Sequence, residues 1–195
     1  MNGLGVTTAR RRNIGLASGV LTIVAINTAF ATLALLAIGS DEATGILFAV
    51  VAISAVFMAL GVAVIRSAIQ EPLPPRTDAE RTTVRRFNAI AAADILAIFI
   101  GNGIAVTMNR REFIVVLDFF IVGLYFFPLA WLFRVPRYYV TGVLFCGIAI
   151  LTTQLTPSTD HIGRAFTWYV FPSLGCTLVS WLTAVSNLRE AWQPS

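Results

Sequence analysis

Two carboxylates stand inside long apolar runs: Asp94 within residues 87–108 and Asp118 within residues 113–133. A charged side chain held near the middle of a bilayer costs roughly 2.5–3.5 kcal/mol on insertion scales, so a carboxylate kept there needs a partner, a proton or a function. A carboxyl group shielded from water is also suited to taking up and releasing protons. Three further polar side chains lie at membrane depth: Asn27, Asn102 and Tyr125.

Depth follows from a rise of about 1.5 Å per helical residue. If the third run enters near Phe87, Asp94 lies about 10 Å in and Asn102 about 22 Å in. The fourth run returns from the opposite side near Phe113, which puts Asp118 roughly 22 Å and Tyr125 roughly 12 Å from the first boundary of a core about 30 Å thick. Asn102 and Asp118 therefore share one level, and Asp94 and Tyr125 another. Asp118 and Tyr125 are seven residues apart and share a helix face. Asn27 falls near the outer level. The expectation is two polar layers between the third and fourth helices, with the first helix adding Asn27. They would bind a proton or a small solute, or else satisfy one another structurally, with Arg110 and Arg111 within range of Asp118. Pro128 removes one hydrogen bond inside the fourth helix and predicts a kink one turn from Tyr125.

The elements that must position these groups are six apolar stretches, approximately 14–38, 44–65, 87–108, 113–133, 138–155 and 166–187. Each approaches the ~20 residues that a spanning helix needs. The composition agrees: 57% of the 195 residues are hydrophobic and only 12% charged, against about 25% in soluble domains, and the mean hydropathy is +0.79. The fold class expected is all-α, a single polytopic domain of six transmembrane helices. The first run follows Arg10, Arg11 and Arg12 and exceeds the ~7–15 apolar residues of a cleaved signal, so it reads as a retained signal-anchor span.

The charges give orientation. With the N-terminus inside, eleven of the fourteen arginines fall on cytoplasmic segments and three (Arg110, Arg111, Arg164) on outer loops, as the positive-inside rule requires. Both termini are then cytoplasmic. The positive charge orients the chain in a membrane and forms no continuous stripe for nucleic acid. Residues 71–75 form a stiff Pro-rich stretch, and Thr77-Asp78-Ala79-Glu80 reads as a capping box that starts the third helix near Asp78. Ala89, Ala93, Ala97, Gly101 and Ala105 make an unbroken ladder of small residues, which predicts close packing and a central place for the third helix, or a homo-oligomer seam. Ala55, Ala59 and Ala63 on the second helix and Gly15-x-x-x-Gly19 on the first are shorter versions.

One histidine (His161) and two cysteines within apolar runs (Cys146, Cys176) provide no metal or haem ligand set, and no cofactor or disulfide is expected. There is no phosphate loop, nucleophile elbow or His-Glu metal helix, so enzymatic chemistry is not indicated.

The segment Ile121-Val-Gly-Leu-Tyr-Phe-Phe-Pro-Leu-Ala-Trp-Leu-Phe-Arg-Val-Pro-Arg-Tyr-Tyr-Val-Thr-Gly142 resembles a group of small, uncharacterised bacterial polytopic membrane proteins. In that group a Gly-Leu-His-Phe-x-Pro-Leu-Ala stretch precedes a Tyr-Tyr-x-Thr-Gly helix start. Tyr125 occupies the histidine position, so a histidine-based role is not carried over. A carboxylate in the preceding helix corresponds to Asp94. The resemblance implies a six-helix fold in a bacterial cytoplasmic membrane and no particular activity. Two readings stand: a small-solute or proton-linked transporter, and an accessory protein whose intramembrane polar groups are structural. A lipid-active enzyme is a weaker third.

Overall fold

The computed structural model describes residues 3–69, 77–157 and 159–191, with side chains described from Ile14 to Glu190. The side chains of Arg10, Arg11 and Arg12, the Pro-rich stretch at 71–75, Arg76 and Trp192 lie outside the described residues.

Six helices account for almost the whole fold: α1 (Gly3–Ile38), α2 (Asp41–Ile69), α3 (Asp78–Thr107), α4 (Ile114–Phe133), α5 (Arg137–Leu155) and α6 (Thr167–Ala191). Each contains a stretch long and apolar enough to cross a membrane, from 19 residues in Arg137–Leu155 to 30 in Asp78–Thr107. The large hydrophobic side chains left exposed, such as Leu33, Phe48, Phe99, Leu155 and Leu182, are what lipid-facing surfaces need. The spans therefore lie where the apolar runs placed them. The helices overrun those runs because polar residues at their ends extend the same hydrogen-bond ladder.

The start of α3 is set locally. The Thr77 hydroxyl accepts from the Glu80 amide at 3.3 Å, and the Glu80 carboxylate accepts from the Thr77 amide at 2.8 Å. This reciprocal pair satisfies two otherwise orphaned donors. α4 is preceded by a 3₁₀ turn at Arg111–Phe113 and continues through Pro128 to Phe133. It ends where Arg134 adopts the left-handed conformation, φ 54°.

A short antiparallel hairpin, β1 (His161–Ile162) with β2 (Ala165–Phe166), joins α5 to α6. It is the one feature among the described residues that departs from an all-α reading. Gly163 turns it at φ +63°, with its α-carbon pressed against the Ile38 carbonyl, where no Cβ fits. Ala165 is thereby buried with Ala34 and Val170.

The bundle is organised around α6, which packs against α1, α2, α4 and α5. Half of its apolar window is buried, against 6% for α3. The main core joins Phe119, Phe126 and Leu129 of α4 to Tyr138 and Phe145 of α5 and Cys176 and Val179 of α6. This corrects the expectation of a central third helix. Among the described helices α3 packs substantially against α4 alone, and Ala105 is its single buried residue. The reason is helical drift. Steps of four residues advance about 40° beyond a full turn, since 3.6 residues make one turn. The ladder therefore spirals, leaving Ala89, Ala93 and Ala97 exposed and reaching the α4 interface only at Gly101 and Ala105. Ala55, Ala59 and Ala63 are likewise exposed.

Candidate functional site

The α3–α4 seam is built from two apolar contacts and the polar groups between them. At the inner end, Phe87 stacks tilted on Phe133 with centroids 5.9 Å apart, and Ile90 packs on the main core. Toward the outer end, Gly101 lets α4 come close: a Cβ there would stand 2.8 Å from Leu117 Cδ2. The next residue on each helix faces its counterpart. Asn102 Nδ2 donates to Asp118 Oδ1 at 3.0 Å, and Asp118 is 8% exposed. The outer level inferred from helical rise is thus a formed hydrogen bond.

Asp94 lies eight residues before Asn102, about two turns toward the start of α3 and about 80° around it; it is half-buried, and among the described residues its buried Oδ1 has no hydrogen-bond partner. It is within electrostatic reach of both Asp118 and Tyr125. Tyr125 is half-buried and lies edge-on to Phe126, centroids 6.2 Å apart. Asn102 keeps one buried, unpartnered oxygen as well, because only its amide nitrogen is used. The seam therefore presents two buried acceptor oxygens, Asp94 Oδ1 and Asn102 Oδ1, with no donor among the described residues. Burying such groups without a hydrogen bond is costly. A proton, a small cation or a donor-bearing solute is the chemistry that would satisfy them.

Asn27 does not join this seam. Its Nδ2 donates back to the Ile23 carbonyl at 2.9 Å, and the Asn27 main-chain carbonyl accepts from Thr177 Oγ1 of α6 at 3.0 Å. It belongs to the α1–α6 contact. Arg110 turns to Glu112 at 3.5 Å, and the Arg111 carbonyl accepts from the Tyr169 hydroxyl at 3.1 Å. Among the described residues, no three His, Cys, Asp or Glu side chains gather as a metal site, and both cysteines are free thiols.

The chain matches no protein-family model, no curated protein and no solved structure. What can be said of function therefore rests on the geometry of the chain itself.

Two polar groupings escaped the sequence reading. Thr28 donates to Ser54 at 2.7 Å, and Trp181 Nε1 donates to the same hydroxyl at 3.1 Å, tying α1, α2 and α6 together. The other, at the inner end of α5 and α6, joins Arg137, Tyr138, Thr141, Thr183, Ser186, Asn187 and Glu190. Its signal was available: Thr183, Asn187 and Glu190 recur at helical spacing and bring one polar face of α6 to the start of α5.

Proposed function

We propose that this chain is a multi-pass protein of a bacterial cytoplasmic membrane, with both termini in the cytoplasm, and that its α3–α4 seam binds a proton or small polar solute in transport across that membrane. The observation that carries the reading is Asp94, whose buried carboxylate oxygen has no hydrogen-bond partner on a seam where the neighbouring carboxylate, Asp118, has one. A satisfied structural pair needs no second acid. An acid without a protein donor beside a paired one is the arrangement that can exchange a proton between two levels.

The test is flux in proteoliposomes that carry a trapped pH indicator. A pH gradient and a potassium diffusion potential are imposed, with and without a mixture of amino acids, sugars and organic cations outside. Wild-type protein should dissipate the gradient faster than protein-free vesicles, and D94N should remove that excess while still folding. Vesicles that hold the gradient equally well with and without protein, under every solute, overturn the proposal.

A second reading, a non-catalytic accessory or self-associating protein, is favoured by the outer face of α3. Ile95, Leu96, Phe99, Ile100 and Ile104 are exposed there, beside Ala93 and Ala97. It predicts an oligomer in mild detergent and no flux.

A further inference from the structure

A second polar cluster, independent of the α3–α4 seam, lies at the end of the bundle that carries both termini. Arg137 opens α5 there. Its Nη1 pairs with the Glu190 carboxylate and donates to Ser186 Oγ at 3.4 Å. Its Nε and Nη2 are buried and have no acceptor. Asn187, one residue beyond Ser186, is 2% exposed. Its Nδ2 donates to the Tyr138 hydroxyl at 3.3 Å, while its Oδ1 is buried with no partner. Thr141 and Thr183 hydrogen-bond at 2.9 Å one turn deeper. α1 crosses over Tyr138 at Gly19, where an added Cβ would come within 3.9 Å of the phenol oxygen.

Nε and Nη2 are not an arbitrary pair. They form one edge of the planar guanidinium, the fork that grips a carboxylate or phosphate through two parallel hydrogen bonds. Glu190 engages the remaining nitrogen and leaves that edge open. The Asn187 amide fits the same chemistry, because its oxygen and nitrogen can exchange places. Turned over, it accepts from the Tyr138 hydroxyl and offers its N–H₂ on the same α5–α6 seam. Position selects the oxyanion. Arg137 stands at the first residue of a spanning helix, at headgroup depth, with Arg134 exposed three residues before it and Arg189 exposed next to its partner Glu190. Basic pockets between helices on the cytoplasmic side are where anionic headgroups bind.

We propose that Arg137, Asn187 and Tyr138 form a phosphate-binding site that takes the phosphodiester of a phospholipid headgroup. The full chain, purified in mild detergent, is titrated with short-chain phosphatidylglycerol, with diacylglycerol and with inorganic phosphate, and followed by native mass spectrometry and thermal unfolding. Phosphatidylglycerol should bind and raise the unfolding midpoint; diacylglycerol, which lacks the phosphate, should not. R137Q should weaken that binding roughly 10- to 100-fold, as expected for loss of a charged hydrogen-bonded pair. Should R137Q not fold, R137K retains the charge and the Glu190 partner but lacks the fork, and weakening in the same direction is required. Equal binding of phosphatidylglycerol and diacylglycerol, or wild-type phosphatidylglycerol binding in R137K, overturns the site. Stabilisation by inorganic phosphate with none by the lipid overturns the headgroup assignment and gives the site to a soluble phosphate.

Discussion

Among the described residues the bond between Asn102 and Asp118 is the single side-chain polar tie between α3 and α4, and it was legible because residue spacing and helical rise put both side chains at one depth. Its energetic role follows from asymmetry. Removing one partner strands the other, whereas replacing both with apolar groups of similar shape can be nearly neutral. N102L should therefore lower stability in detergent by about 1 kcal/mol, within the range that coupled polar pairs show in membrane helices. The double variant N102L/D118L should recover most of that loss. A loss in the double variant equal to the sum of the two single losses would show that the pair is not coupled. Asn27 was misassigned to this layer for an instructive reason. Depth alone fixes a residue's level and not its azimuth, and the azimuth of α1 depends on its packing against α6, which no local pattern in α1 encodes.

At the scale of elements, long apolar runs define spans well because the bilayer imposes one length and one polarity on all of them. The capping box at Thr77 and Glu80 was legible for the same reason: the signal and the structure are both local. Which helices touch is a different matter, since a small residue permits close approach without requiring it. The closest backbone approach between two spanning helices at a glycine is between α4 and α5, where a Cβ on Gly142 would stand 2.7 Å from the Gly123 carbonyl oxygen, and one on Gly123 2.9 Å from the Cys146 amide nitrogen. Two isolated glycines thus do what the five-step ladder on α3 does not. Backbone atoms cannot swing aside as side-chain tips do, so G142A should destabilise the fold by about 1–3 kcal/mol, the usual cost of overpacking. G147A lies on the same helix with nothing within 4 Å of its Cβ position and should stay within about 0.5 kcal/mol of wild type. Unfolding midpoints of the two variants side by side decide this. Helix propensity favours alanine over glycine at both positions, so similar losses in the two variants would mean that the α4–α5 contact does not set the cost.

For the whole molecule, six consecutive spans put both termini on one side, and charge decides which side. The end formed by the α1–α2, α3–α4 and α5–α6 connections carries Arg110, Arg111 and Arg164 together with Asp41, Glu42, Glu112 and Asp160, so its formal charge is slightly negative. The sequence assigns to the opposite end the other eleven arginines and four carboxylates, Glu71, Asp78, Glu80 and Glu190. Arginine-rich segments are retained on the cytoplasmic side during insertion, and the anionic inner leaflet attracts them further. The proposed orientation bears on both proposed sites: with both termini cytoplasmic, Asp118 lies in the outer half of the bilayer, Asp94 in the inner half, and Arg137 against the inner headgroups. Orientation is tested in whole cells with Cys146 and Cys176 replaced by alanine, one new cysteine at a time, and a membrane-impermeant maleimide. D160C, beside the hairpin, should label in intact cells. R81C, in the first turn of α3, should label only after the membrane is permeabilised. The reverse pattern would invert the bundle and move Arg137 to the outer leaflet. The headgroup it meets would then be an outer-leaflet lipid, and the inner-to-outer order of Asp94 and Asp118 would be exchanged.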